Sequence, residues 1–363
     1  MSLKAELFDS FDLLEGLSEQ WNSLLQHTKA NTLFLTYEWV RAWWDIYGRG
    51  GTLFLVVIKD GDDLIGIAPL YIESALVLKF IPIRQVCFIG DKHVAPCFLN
   101  FILEAGRESE IIPLIFQIIK GMNSWDRLMF DEMHESAMEI ALMTDAMRRM
   151  GLFVLSRRRY ACPYQALAGT MREFMQEPDV VFKKITATRH VPKLMKHHIV
   201  QFNDQINEED LDDHINTFIS LHNERWHLVG KKSFFDYVGT TKFFRAICHT
   251  FYENGCLKMS SLLVDGEIVA MECGVIYSNA YYAYQLACAS KGRQYRAGAV
   301  LTYHIFESLV GNVQTFHYLR GKETYKYQWG CINQFTKRIE AWRGLLGKTI
   351  FCIRFLLRAI HRQ

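Results

Sequence analysis

Two stretches decide the fold: TLFLVVIKDGDDLIGIAPLYI (residues 52–72) and, about 205 residues later, LKMSSLLVDGEIVAMECGVIY (residues 257–277). Each reads as an apolar strand, an Asp-Gly turn and a second apolar strand. The second continues through Ser278-Asn279-Ala280 into YYAYQLACA (281–289). Helix-like sequence precedes both hairpins. Leu17, Trp21, Leu24 and Leu25 recur at helical spacing, followed by the aromatic YEWVRAWWDIYG (37–48); Leu211, Ile215, Phe218, Ile219 and His222 share one face, and a further helix is predicted over 241–253. After each hairpin the pattern alternates between helix and strand. The first half predicts a helix near 108–120, a strand at 125–130, a helix at 135–149 and a strand at 152–156. The second predicts a helix over 299–310 and strands at 315–319 and 334–341. One Asp-Gly hairpin says little, but two in the same order predict a duplicated α/β (α+β) domain, with a boundary near 160–180 where a Pro178-containing segment precedes a basic helix.

The 363 residues favour two domains over one, and a composition of 50% apolar, 13% aromatic and 22% charged residues suits packed cores. With 41 Lys and Arg against 39 Asp and Glu, a formal charge of +2 is too balanced for a protein that grips nucleic acid through its overall field. Any basic patch must be local. The nine cysteines are odd in number, dispersed and never spaced as C-x-x-C, which argues against a disulfide framework or zinc ribbon and fits a reducing cytoplasm. The opening MSLKAELFDS carries acids where a secretory signal needs a basic and then an apolar run, so export is not predicted. Leu64 to Ile83, the most apolar window, is broken by Glu73, Lys79, Pro69 and Pro82 and does not read as transmembrane.

Several motifs fail on a residue. Gly344 to Thr349 imitates a phosphate loop, but the required first glycine is Trp342; Gly48, Gly50 and Gly51 do not continue to a glycine at Leu53. There is no G-x-S-x-G elbow and no H-E-x-x-H helix. Of 13 histidines only His197 and His198 are adjacent, pointing about 100° apart on a helix, and no metal is expected.

The densest polar chemistry lies in FHYLRGKETYKYQWG (316–330), an apolar strand opening into Arg320, Lys322, Glu323, Tyr325, Lys326 and Tyr327. Together with the duplicated plan, this stretch resembles the tandem acyltransferases of the GNAT superfamily, specifically the CelD-like and FemABX-like group associated with polysaccharide or peptidoglycan biosynthesis. The resemblance spans nearly the whole chain. It implies two tandem GNAT-like domains, each a mixed, mostly antiparallel sheet flanked by helices. These are an N-terminal domain over 1–165, a basic linker and helix over 166–205, a C-terminal acyltransferase domain over 206–343 and a basic amphipathic C-terminal helix over 344–363. It also implies acyl transfer from acyl-CoA or acetyl-CoA to a small-molecule or glycan-precursor acceptor, in a cytoplasmic protein with no DNA partner. The alternatives are aminoacyl-tRNA-dependent transfer of the FemABX-like kind and a non-catalytic assembly factor for exopolysaccharide production.

Site residues follow where the motifs match. The K-x-x-aromatic-Gly tail corresponds to Lys326 through Trp329-Gly330, which puts Lys326 at the acyl-transfer centre, with Tyr325 and Glu323 as its catalytic neighbours. Substrate contacts fall to Arg320, to the Arg225-Trp226 pair and to Tyr284 on the strand at 281–289. Cofactor contacts fall to Arg293, Arg296 and Gly298 in KGRQYRAGAVL (291–301). Two positions depart from the pattern: His317 replaces an acidic residue, excluding a carboxylate base there, and Tyr295 and Val300 interrupt the usual CoA loop.

Acyl transfer needs a positioned acceptor, a proton route and donors aimed at the developing oxyanion, and a lysine ammonium or a backbone N–H can serve the last. Arg320, Lys322, Glu323 and Lys326 could equally form a solvated, self-neutralising strand end. Arg225 could stack on Trp226 as a surface cation, and His222 could be a core histidine or a base. Lys183, Lys184, Arg189, Lys193 and Lys196 precede any acid until Asp204, which suits either phosphates or a solvated connector. In the C-terminal GKTIFCIRFLLRAIHRQ (347–363), Lys348, Arg354, Arg358, His361 and Arg362 share a side, as for a peripheral contact with an anionic leaflet or for packing on the second domain.

Overall fold

The computed structural model describes residues 3–122, 124–167, 169–176, 181–345 and 347–352, and Pro178 and most of the C-terminal basic helix lie outside them. The chain divides into two units, one of residues 1–160 with 335–363 and one of residues 161–334.

In the first unit β1 (Lys4–Phe8) is followed by α1 (Ser18–Gln26) and α2 (Tyr37–Tyr47), then by the meander β2 (Thr52–Asp60), β3 (Asp63–Val77) and β4 (Ile81–Phe88). The aromatic stretch is a core helix. Thr36 caps α2 by accepting from the Trp39 N–H, and Trp39, Val40 and Trp43 are buried. A two-residue strand, β5 (Ile102–Leu103), pairs with β3. Helix α3 (Glu108–Gly121) crosses to β6 (Arg127–His134), which runs parallel to β4, and α4 (Glu139–Arg149) leads into β7 (Phe153–Ala166).

The second unit opens with α5 (Met171–Gln176), α6 (Val181–Ile185) and α7 (Val191–His197), the last two joined by a π turn at Thr186–His190. The first plan then repeats: edge strand β8 (Val200–Asn203), helices α8 (Leu211–Leu228) and α9 (Thr240–Glu253), and the meander β9 (Leu257–Val264), β10 (Glu267–Tyr277) and β11 (Ala280–Cys288). Short α10 (Gly292–Tyr295) and α11 (Ala297–Leu309) cross to β12 (Thr315–His317), parallel to β11. A turn of helix, α12 (Thr324–Tyr327), precedes β13 (Ile332–Trp342).

Within the two units the strands follow one order, β1-β2-β3-β4-β6-β13 and β8-β9-β10-β11-β12-β7. Each ends on a strand from the other half of the sequence: β13 is antiparallel to β6, with Trp342 opposite Arg127, and the end of β7 is antiparallel to β12, with Ala166 opposite Thr315. Apolar alternation marks 334–341 as a strand and says nothing of its partner. In the second unit Phe306, Phe316, Tyr281 and Trp329 form the centre of the core between α11 and the sheet. Among the described residues no helix is long and apolar enough to cross a membrane.

Where β10 meets β11 the register slips: Cys273 faces Gln285 and Gly274 faces Ala283, leaving Tyr284 as an extra residue. Gly274 has a further duty, because a methyl there would coincide with the Tyr281 ring, which lies across the strand so that its hydroxyl donates to Glu272 at 2.9 Å. Gly274→Ala is expected to lower unfolding free energy by about 1–3 kcal/mol, read from urea melts, because the buried ring has no free space to move into.

Candidate functional site

Parallel strands β11 and β12 pair at only three positions, Ala280–Thr315, Tyr281–Phe316 and Tyr282–His317. Past that point they part. The chain after β12 stays with β7, the Tyr318 N–H donating to the Pro163 carbonyl and the Gly321 N–H to that of Ala161, while β11 continues on β10 through the bulge at Tyr284. The opened wedge is a cavity of about 300 Å³. Leu286, Cys288 and Ala289 at the end of β11 form one wall, and Tyr325, Gln328 and Trp329 the opposite one. Its floor is the start of α11, from Ala297 to Ala299, with Gly292 and Arg293 of α10.

Three guanidiniums border this space, those of Arg225, Arg293 and Arg296, and among the described residues no carboxylate lines it. Arg296 introduces α11 in a left-handed conformation (φ 53°). Helix α8 is fastened to the β11–α10 loop by Ser290, whose hydroxyl donates to Glu224 at 2.5 Å, and this places the adjacent Arg225 at the cavity. Together with the N-terminal end of α11, the three cations make a site suited to a negatively charged ligand. A second cavity of about 280 Å³ shares Arg296 and is bordered by His190, Lys193, His197, His198 and Tyr295. Burial, followed by the charges of Arg296, Arg189 and Lys193, lowers the pKa of His190.

The structure brings several expected residues together at the first cavity: Tyr325, Arg225, Arg293, Arg296 and Gly298 all line it. Val300, which breaks the usual loop pattern, is fully buried in the core and leaves the cavity's shape alone. Lys326 is placed differently. It is 4% exposed and does not line the cavity; its ammonium donates to the Arg320 carbonyl at 3.0 Å and pairs with Glu323 at 2.9 Å. Lys326 therefore clamps the turn that leads into α12. Gly321 serves the same turn at φ 131°, a backbone conformation that favours glycine, with the Glu323 carboxylate folded over it. Trp226 donates to His222 Nε2 at 3.2 Å, with the Arg225 guanidinium 6.0 Å from its ring centroid, and Tyr284 packs against Phe234 and Phe244. Of the basic segment, Lys184, Arg189, Lys193 and Lys196 are exposed, whereas Lys183 is fully buried with its ammonium 3.4 Å from the Phe174 ring centroid, which removes it as a phosphate contact.

Electrostatics sort the remaining groups. Burial first, then Glu323 and Glu272, push the Tyr325 phenol up, keeping it protonated as a donor. Burial likewise pushes up the Cys288 thiol, a poor setting for a thiolate nucleophile. His222 is buried and held at about 4 by burial and by Arg225, so it is a neutral core histidine bridging Trp226 and Ser233. The residue that sequence reasoning missed is Glu272, buried on β10 and pushed up to about 7. Its negative charge is felt by both Tyr325 and Cys288. The only sequence signal was an acid inside the apolar run IVAMECGVIY. Phe182, Leu228 and Thr302 also border the cavity, from three separate helices.

Two measurements follow. Lys326→Ala is expected to cost about 3 kcal/mol of stability in denaturant melts, since it removes a charged hydrogen bond and a buried stem together. For His222 the folded state binds the proton more weakly than the unfolded state, so stability is lost as pH falls from about 6.5 towards 4. Glu272 has the opposite sign, with stability lost as pH rises from about 4.5 to 7, so a variant is needed to separate the two. Between pH 7.5 and 4, His222→Gln should lose about 3 kcal/mol less stability than the wild type.

Residues 184–327 match the sequence profile of the acetyltransferase (GNAT) domain. No curated protein sequence gives a significant match. Among solved structures, FemX superposes with a TM-score of 0.62 at 8% identity, over 93% of this chain and 97% of that one. A conserved protein of unknown function from Bacteroides thetaiotaomicron VPI-5482 gives 0.59 at 11% identity, over 94% and 100% of the two chains. The C-terminal domain (DUF2156) of a protein described as a lysylphosphatidylglycerol synthetase, from Agrobacterium fabrum, gives 0.55 at 8% identity, over 94% and 95%. At these identities the likeness is one of fold. One sheet plan is thus built twice, the second half carries the match to the acetyltransferase (GNAT) domain, and the fold over nearly the full length is that of FemX.

Proposed function

We propose that the protein transfers an acyl group from acyl-CoA to an amine or hydroxyl of a polysaccharide or cell-envelope precursor, in the CelD-like manner, with the second unit holding the donor. The observation that carries this reading is the wedge between β11 and β12, bordered by Arg225, Arg293 and Arg296 and, among the described residues, by no carboxylate. Arg293, Arg296 and the first turn of α11 would take the diphosphate, because guanidinium forks match phosphate oxygens in pairs. The second cavity, reached across Arg296, would hold the outer part of the donor.

The thioester carbonyl would then lie along the part of β11 that has no β12 partner, where backbone N–H groups can serve the oxyanion. Attack by the acceptor forms the new C–N or C–O bond and expels the CoA thiolate. Tyr325, protonated and on the wall, is placed to return a proton to that sulfur. Glu272, buried on β10 outside the lining and felt electrostatically by Tyr325, is our choice for taking up by relay the proton lost by the acceptor. Lys326 holds the wall in place through Arg320 and Glu323.

A second reading, aminoacyl-tRNA-dependent transfer, draws on exposed Lys184, Arg189, Lys193 and Lys196 beside the second cavity. One pair of titrations separates the two. Acetyl-CoA should bind saturably in calorimetry, and Arg293→Ala and Arg296→Ala should each weaken it roughly 10- to 100-fold, the worth of a charged hydrogen bond or two. Absence of such binding, with a tRNA gel shift that weakens steeply with salt, would reverse the assignment.

A further inference from the structure

We propose that the tip of the β3–β4 hairpin in the first unit is a docking surface for an anionic lipid bilayer. Leu76, Leu78 and Phe80 stand 65%, 52% and 73% exposed at the tip, where the three-residue turn Leu78–Phe80 would ordinarily carry polar residues. Leu78 and Lys79 both adopt left-handed backbone angles, φ 53° and 73°, a pairing that tight turns usually give to Asn-Gly. The hairpin thus accepts backbone strain and holds three apolar side chains largely exposed among the described residues.

The same hairpin shows why they are not misplaced core. Val77 and Ile83 point the other way and are buried against Trp342 and Ile350, with Phe153 and Ile81 beside them. Residues 347–352 are helical, so Ile350 brings the start of the C-terminal basic segment to the hairpin's base, where Leu345 is 84% exposed and Lys348 is exposed. From Ser74 to Arg84 the chain has no carboxylate and two exposed cations, Lys79 and Arg84. Asp126 is the nearby acid, accepting the Arg84 backbone N–H at 2.8 Å, and Glu73 at the hairpin's root pairs with Lys92.

Charge selects the occupant. A second copy would set the same cations against each other, and three side chains fall far short of the roughly 20–30 residues a side that a stable protein interface uses. Lipid headgroups of negative charge meet Lys79, Arg84 and Lys348 while the leucines and the phenylalanine enter the acyl boundary. Beyond residue 352 the sequence IRFLLRAIHRQ continues the same mixture of apolar and basic residues. This surface belongs to the first unit and stands apart from the acyl-transfer reading.

The full chain is to be sedimented with vesicles of equimolar phosphatidylcholine and phosphatidylglycerol, and with phosphatidylcholine alone. Binding is expected to the anionic vesicles only and to weaken with added salt. The pair Leu78→Asp with Phe80→Asp should reduce it by roughly tenfold or more, from the loss of two inserted side chains. A Leu78→Ser with Phe80→Ser pair gives the same reading if a thermal melt shows the aspartates disturb folding. Failure of the wild type to bind overturns the proposal, as does unchanged binding by the hairpin variants when Arg354→Glu with Arg358→Glu abolishes it. So does a shift from dimer to monomer, caused by the hairpin variants without lipid.

Discussion

A single buried ammonium keeps the second unit open. Lys326 donates to the carbonyl of Arg320 and pairs with Glu323, and by closing that short turn it keeps the chain after β12 alongside β7 and away from β11. The unit therefore spends backbone pairing to hold a void, and what compensates is the packing of Trp329 against Phe182 and Phe306 behind the wall. The lysine most prominent in the sequence bears on the cavity at one remove, by holding the turn beside its wall.

Legibility in the sequence follows the range of the interaction. The hairpins, α3, α9, α11 and the strands at 127–134, 315–317 and 332–342 could be read because their apolar periods are local. The echo between the halves made the duplication readable too. The exchange of final strands could not be read, since periodicity marks β13 as a strand and leaves open whether its partner is β12 or β6. The resemblance to the tandem GNAT, FemABX-like group was reached from order and motif together, and the fold and the GNAT-domain match in the second half agree with it.

The site was half legible, for a related reason. Arg293, Arg296 and Gly298 sit on one continuous segment and were found as a segment. Arg225 was found with Trp226, of which only the arginine borders the cavity. Phe182, Leu228 and Thr302 come from three helices that no motif links, and the position of Glu272 depends on Tyr281 folding across Gly274. A carboxyl moved towards neutrality is a property of its surroundings, which sequence spacing does not carry. Lys326 shows the converse: the motif marks it, and burial decides what it does.

The crossed ending of the two units bears on how the chain is made. As it leaves the ribosome, the first unit has β6 as an open edge until β13 has been synthesised, after the whole of the second unit. An unpaired strand flank is the feature most prone to join a neighbouring chain. The N-terminal unit must therefore wait, incomplete, through the synthesis of its twin. Severing the gene near its middle would yield two fragments, each carrying the strand that the other lacks.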